Sequence, residues 1–242
     1  MILEFDQKSK KVLVEVGKQL VKSMKPHQGN GIRFMYDCTI ESIERLKKTQ
    51  GSGCILAHSM GLGKTFQVIA FLHTIMTNKY TKDKMKRVLI ICPKNTTKNW
   101  GSEFHLWLIE NNLADFIIFD MDEAKTPHQR QALLSEWHED GGVFIISYNM
   151  FANLVNGKMT AKKISKKILG KYKEYLADPG ADLVVCDEGH QLKNDKTSYN
   201  RAVSEIRTMR RIVLTGTPLQ NNLTEYYVMV NFVKPNLLGS KK

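Results

Sequence analysis

The stretch ILAHSMGLGKT, residues 55–65, decides how this chain is read. It follows the apolar run CILA (54–57) and opens the helix-like run TFQVIAFLHTIM (65–76), so it lies where a strand turns into a helix. A P-loop at such a junction surrounds phosphates with successive backbone N–H groups, while the following helix presents its positive end. Gly61 and Gly63 supply the tight backbone, Lys64 a charge for terminal phosphates, and Thr65 a hydroxyl for Mg²⁺. Met60 precedes Gly61 and Leu62 lies between the two glycines in the same loop. His58 stands where the strict pattern has its first glycine, a position that shapes the start of the loop rather than touching phosphate.

Outward from the loop, apolar runs alternate with longer amphipathic ones. CILA, RVLIIC, DFIIF, VFIIS, DLVVCD and RIVLTG are continuous rather than alternating, as strands covered on both faces are. Segments near 64–78, 96–109, 127–138, 198–209 and 223–233 read as the intervening helices. The alternation predicts an α/β fold, a P-loop domain with a mostly parallel central sheet flanked by helices. Val12, Val16, Leu20 and Met24 recur at helical spacing and predict an N-terminal amphipathic helix within residues 1–25, stopping before Pro26. Residues 26–242 then form the lobe, with a lysine-rich helical insert at about 152–177. In that insert Ile164, Ile168, Tyr172, Tyr175 and Leu176 fit one helical face, which reads chiefly as a solvated helix covering the sheet.

A second site lies about 120 residues beyond the loop. DLVVCDEGH ends an apolar strand with Asp187 and Glu188. A carboxylate at a strand's C-terminal edge beside a P-loop can hold Mg²⁺, and its neighbour can polarise an attacking water. RIVLTGTPLQNN carries Thr215, Gly216 and Thr217 to the same sheet edge. In KPHQGNGIRFM, Gln28 could meet an adenine edge with both ends of its amide.

Composition narrows the classes. The 242 residues are 42% apolar and 25% charged, as in a folded domain. Thirty-six Lys and Arg against 24 Asp and Glu leave +12, which favours a polyanionic partner. The four cysteines form no CxxC pair, so neither a zinc nor a disulfide framework is indicated and a reducing compartment is expected. No apolar stretch is long enough for a signal peptide or a membrane span.

Together these segments resemble the first motor lobe of a superfamily-two helicase-like ATPase, and more narrowly the SWI/SNF family. KPHQGNGIRFM resembles the adenine motif, MGLGKT motif I, ICPKNTTKNW motif Ia and ISYNMF motif Ib. DEGH resembles motif II, LTGTPLQNN motif III, and NFVKPNLLG the close of the lobe. The similarity spans roughly residues 10 to 240, with the motifs in the family's order. AHSMGLGKT, CDEGHQLKN and DPGADLVV are similar to an ATRX-like branch, in which His58 and Gly189 replace an acidic residue and an alanine.

The resemblance implies a RecA-like lobe that binds ATP with Mg²⁺. It implies Gln28 for adenine, residues 60–65 for phosphates, Thr65 and Asp187 for the metal, and Lys64, Asp187 and Glu188 for catalysis. His190, Thr215, Gly216 and Thr217 would couple nucleotide to the DNA path, and Lys94, Lys98, Ser147 and Tyr148 would meet a strand. The implied partners are duplex DNA, nucleosomes with their histones, and a second RecA-like lobe, in the nucleus and at no membrane. Nothing after residue 218 resembles motifs V and VI, so slow hydrolysis by this chain alone is expected. The alternatives are a DEAH-type RNA helicase lobe, which DEGH also permits, and a non-catalytic nucleic-acid-binding module with a relic nucleotide pocket. A small-molecule P-loop kinase would leave the motif III resemblance unexplained.

Overall fold

The computed structural model describes residues 1–158, 165–192, 197–216 and 223–239. Six strands build one sheet: β3 (Cys54–Ala57), β4 (Arg87–Cys92), β5 (Ile118–Asp120), β6 (Gly142–Ser147), β7 (Leu183–Cys186) and β8 (Arg211–Thr215). Their order is β3-β8-β7-β4-β6-β5, and every pairing is parallel. All six overlap the apolar runs read as strands, β5 only at Ile118 and Phe119 of DFIIF. Both faces of the sheet are covered, which is why the runs are continuous. Val88, Ile90 and Cys92 of β4 join one apolar cluster, and the alternate Leu89 and Ile91 join the other.

The first face carries α2 (Pro26–Thr39), α4 (Lys64–Thr77) and α5 (Thr97–Phe104), the last prolonged by a π-helical turn His105–Ile109. The second carries α7 (Tyr148–Val155), α8 (Lys166–Leu176), α9 (Ser198–Ser204) and α10 (Leu223–Val233). Beside α8, also on the second face, lies α6 (Pro127–Asp140), whose Thr126 cap accepts the Gln129 N–H at 3.2 Å. On α8 the buried residues are Tyr172, Tyr175 and Leu176, while Lys166, Lys167 and Lys173 are exposed. Ile164 lies outside the described residues. Helix α9 ends at Ser204, earlier than the periodicity predicts, because the Arg207 N–H is taken by the Ala177 carbonyl at 2.9 Å and the chain turns into β8.

The N-terminal helix is corrected. Residues Ile2–Phe5 (β1) and Val12–Glu15 (β2) pair as an antiparallel hairpin, and only Lys18–Lys22 (α1) is helical before Pro26. A four-residue spacing of apolar positions satisfies a strand's period of two as well as a helix's 3.6. The intervening Val14 is fully buried, and so makes the pattern alternate. A further short helix, α3 (Ile43–Lys48), is capped by Ser42, which accepts the Arg45 N–H at 3.1 Å.

Candidate functional site

The C-terminal ends of the parallel strands carry the candidate residues. β3 runs into the glycine-rich loop, and Gly61 and Gly63 adopt φ of +79° and +69°. Such values are costly for any residue with a Cβ, so the loop's path needs glycine there. At Gly63 a Cβ would also fall 2.3 Å from Gln28 Nε2. α4 begins at Lys64, directly after Gly63, so the loop sits on a helix N-terminus. The Lys64 ammonium donates to the carbonyls of His58 at 2.7 Å and Ser59 at 3.2 Å. Met60 is 81% exposed at the rim and packs over Gly216, where a Cβ would come 3.2 Å from Met60 Cγ.

β7 delivers Asp187 and Glu188 to the same edge. β3 and β7 are separated only by β8, so their axes stand about 10 Å apart at the usual strand spacing. Asp187 Oδ2 accepts the Trp100 indole N–H at 2.9 Å, and Oδ1 accepts the Glu188 N–H at 2.9 Å. Burial raises the Asp187 pKa, those hydrogen bonds oppose it, Glu188 adds to the rise, and the Lys64 ammonium pulls the other way. Lys64 and Asp187 thus both follow strand ends at the same edge of the sheet, with only β8 between. Glu188 has φ +49°, a left-handed conformation uncommon for a non-glycine residue, and pairs with His190 at 3.2 Å. His190 Nε2 also meets Gln191 Nε2 at 3.2 Å. Thr215 ends β8 fully buried, opposite Ala57 of β3; Thr217 lies outside the described residues.

Gln28 is buried beside the loop, its Oε1 accepting the Lys25 N–H at 2.9 Å and its Nε2 donating to the Leu62 carbonyl at 3.4 Å. Of the residues expected to meet a strand, Ser147 and Tyr148 have buried side chains. Ser147 is buried as the cap of α7, accepting the Met150 N–H at 3.4 Å, and Tyr148 is buried with its hydroxyl donating to the Asp187 carbonyl at 2.8 Å. Tyr148 thereby braces the acidic turn. Lys98 is exposed, and exposed Lys94 is ion-paired with Asp122.

Sequence reasoning passed over Trp100 and Gln67. Trp100 falls within the quoted motif Ia stretch, yet an indole in a helix-periodic segment reads as core. Gln67 was legible only as a polar residue interrupting the apolar run of α4; it is fully buried and donates to the carbonyls of Leu62 and Gly63, each at 3.2 Å.

The residues fit a nucleotide with a divalent cation. The half-buried Asp187 carboxylate receives only N–H donors and has no cation in direct contact among the described residues, while the left-handed glycines shape a cradle on a helix N-terminus.

An all-parallel sheet with this loop and acidic turn at one edge is a RecA-like P-loop domain. Residues 27–242 match the family model described as SNF2-related domain, and the chain belongs to that family. It is 50% identical over 242 residues to the Transcriptional regulator ATRX homolog of Drosophila melanogaster, covering 100% of this chain and 18% of that protein. It is 48% identical over 245 residues to Transcriptional regulator ATRX of Homo sapiens, covering 100% of this chain and 10% of that protein. Helicase ARIP4 of Homo sapiens is 40% identical over 263 residues, with 95% and 18% covered. The chain thus spans less than a fifth of the length of these relatives. In fold it is similar to the Sulfolobus solfataricus SWI2/SNF2 ATPase core solved in complex with dsDNA, with a TM-score of 0.61 and 23% identity over 94% of this chain and 38% of that one.

Proposed function

We propose that this chain is the ATP-binding lobe of a DNA-dependent ATPase that translocates on duplex DNA and remodels chromatin in the nucleus. The observation that carries the reading is the placement of Lys64 and Asp187 just beyond the C-terminal ends of β3 and β7, with only β8 between those strands. Gln28 would meet the adenine, and the loop from Met60 to Thr65 the phosphates. Thr65 and Asp187 would hold Mg²⁺, which when bound neutralises charge on the phosphate oxygens. Glu188 would orient the attacking water, while Lys64 leaves the carbonyls of His58 and Ser59 for phosphate oxygens. His190, Thr215, Gly216 and Thr217 would relay the nucleotide state. Lys98 and Lys94 would meet DNA phosphates, which position a protein without reading sequence. Nucleosomes and a second RecA-like lobe are the further partners.

An arginine finger from the opposing lobe is typically worth about 10³–10⁵ in rate, so this chain alone binds Mg-ATP but turns it over slowly. Steady-state phosphate release with and without duplex DNA tests this. Slow release that DNA barely changes is expected; robust DNA-stimulated turnover would overturn the need for a second lobe. Stronger competition by structured RNA than by duplex DNA would overturn the choice of DNA.

A further inference from the structure

We propose that His58 and Gln67 are positioning residues for the phosphate loop: they hold its outer carbonyls turned away from the cradle, so that the N–H groups of Gly63 and Lys64 face into it. This rests on the nucleotide-site reading above.

A trans peptide unit points its C=O and N–H in opposite directions. Fixing the Leu62 carbonyl therefore fixes the Gly63 N–H, and fixing the Gly63 carbonyl fixes the Lys64 N–H. The Leu62 carbonyl accepts from His27 Nε2 at 3.2 Å, Gln28 Nε2 at 3.4 Å and Gln67 Nε2 at 3.2 Å. The Gly63 carbonyl accepts the Gln67 backbone N–H at 3.1 Å and its side-chain Nε2 at 3.2 Å. Gln67 alone serves both carbonyls.

The two carbonyl oxygens set which way the Gln67 amide faces, and His58 reinforces that orientation. Gln67 Nε2 lies 3.4 Å from His58 Nδ1, and an amide nitrogen can only donate, so its two protons are shared among His58 and the two carbonyls. His58 Nδ1 is therefore the acceptor, and the ring carries its proton on Nε2. Reversing the amide would set its oxygen against two carbonyl oxygens. The observed orientation leaves Gln67 Oε1 buried without a partner, an uncommon state that marks a side chain fixed from its other end. That oxygen presses on α2 at Gly31, where a Cβ would lie 1.9 Å away. The clamp also accounts for a histidine at the first glycine position of the loop. It needs a neutral ring, and burial, then His27 on α2 and Lys64 on α4, all disfavour protonation of His58.

The test titrates ADP with Mg²⁺ into the unsubstituted chain, His58→Leu, His58→Asn and Gly31→Ala, with the melting temperature measured for each. His58→Leu removes the acceptor. Gly31→Ala displaces Gln67 while giving α2 a better helix former. Both are expected to weaken ADP about tenfold or more, beyond any change in melting temperature. His58→Asn, whose Oδ1 can replace Nδ1, is expected to recover most of the loss. Unchanged affinity in the leucine and alanine variants, or no recovery with asparagine, overturns the clamp while leaving the nucleotide reading intact. Failure of the unsubstituted chain to bind ADP overturns both.

Discussion

Replacing Gly189 by alanine tests why the acidic turn reads Asp-Glu-Gly-His. Gly189 opens the 3₁₀ turn Gly189–Leu192 and is pressed onto β8: a Cβ there would lie 2.2 Å from Val213 Cγ1 and 3.3 Å from the Leu214 carbonyl. Val213 is fully buried in the sheet, so the clash cannot be relieved toward solvent. Carbon contacts settle near 3.5–4.0 Å, so turn and strand must separate by roughly 1 Å or more. Overpacking of this kind costs about 1–3 kcal/mol. At about 2 kcal/mol, a domain of this size loses roughly 4–8 °C in melting temperature. The displaced turn carries Asp187 and Glu188 with it, so Mg-ATP affinity falls as well. Val213→Ala removes the obstructing methyl at a cost of its own, and in the double variant the new Cβ occupies the vacated space. Urea denaturation of the four proteins should give a coupling of about 1–2 kcal/mol between the two sites, with the double variant more stable than the sum of the singles. A Gly189→Ala change within about 0.5 kcal/mol of zero, or strict additivity, would refute the packing argument.

Three further outcomes follow from the same geometry. Asp187 has its pKa raised above the ordinary 3.8, chiefly by burial, so the folded state binds its proton more tightly than the unfolded state and stability falls as pH rises from 3.8 through the raised value. Asp187→Asn removes that loss, and denaturation profiles identical to those of the unsubstituted chain across about pH 4 to 7 would contradict it. Burial pushes the Cys92 and Cys186 thiols up to about 12, Cys54 is raised chiefly by its hydrogen bond to Cys38, and the half-buried Cys38 is lowered by the same bond. Native-state alkylation followed by mass spectrometry should therefore modify Cys38 first, and equal labelling of all four would be inconsistent with that order. Substituting Lys94 and Lys98 together by alanine should weaken duplex binding and reduce its salt slope by up to about 1.8, with Lys98 contributing more because Asp122 already holds Lys94. An unchanged slope would remove both from the DNA path.

What was legible in the sequence follows a physical division. The six strands could be read because burial on both faces leaves their central positions apolar, with polar residues only at the ends. The loop could be read because only glycine tolerates its left-handed turns at Gly61 and Gly63. The β1–β2 hairpin was hidden by a spacing that two periodicities share. The partners of the site residues were not legible. Trp100 reaching Asp187 spans 87 residues, and Tyr148 reaching the Asp187 carbonyl spans 39. Such pairings depend on which strands become neighbours. Ser147 and Tyr148 lie in a stretch resembling motif Ib, and the burial of both side chains was not legible there.

Calorimetric titration of ATP, with and without Mg²⁺, into the unsubstituted chain, Lys64→Ala and Asp187→Asn addresses the site most directly. Saturable binding that Mg²⁺ strengthens is expected in the unsubstituted chain, with loss of affinity in Lys64→Ala and loss of the Mg²⁺ enhancement in Asp187→Asn. Absence of binding by the unsubstituted chain up to about millimolar ATP, some −4 kcal/mol, or an undiminished Mg²⁺ effect without the Asp187 carboxylate, would contradict this expectation.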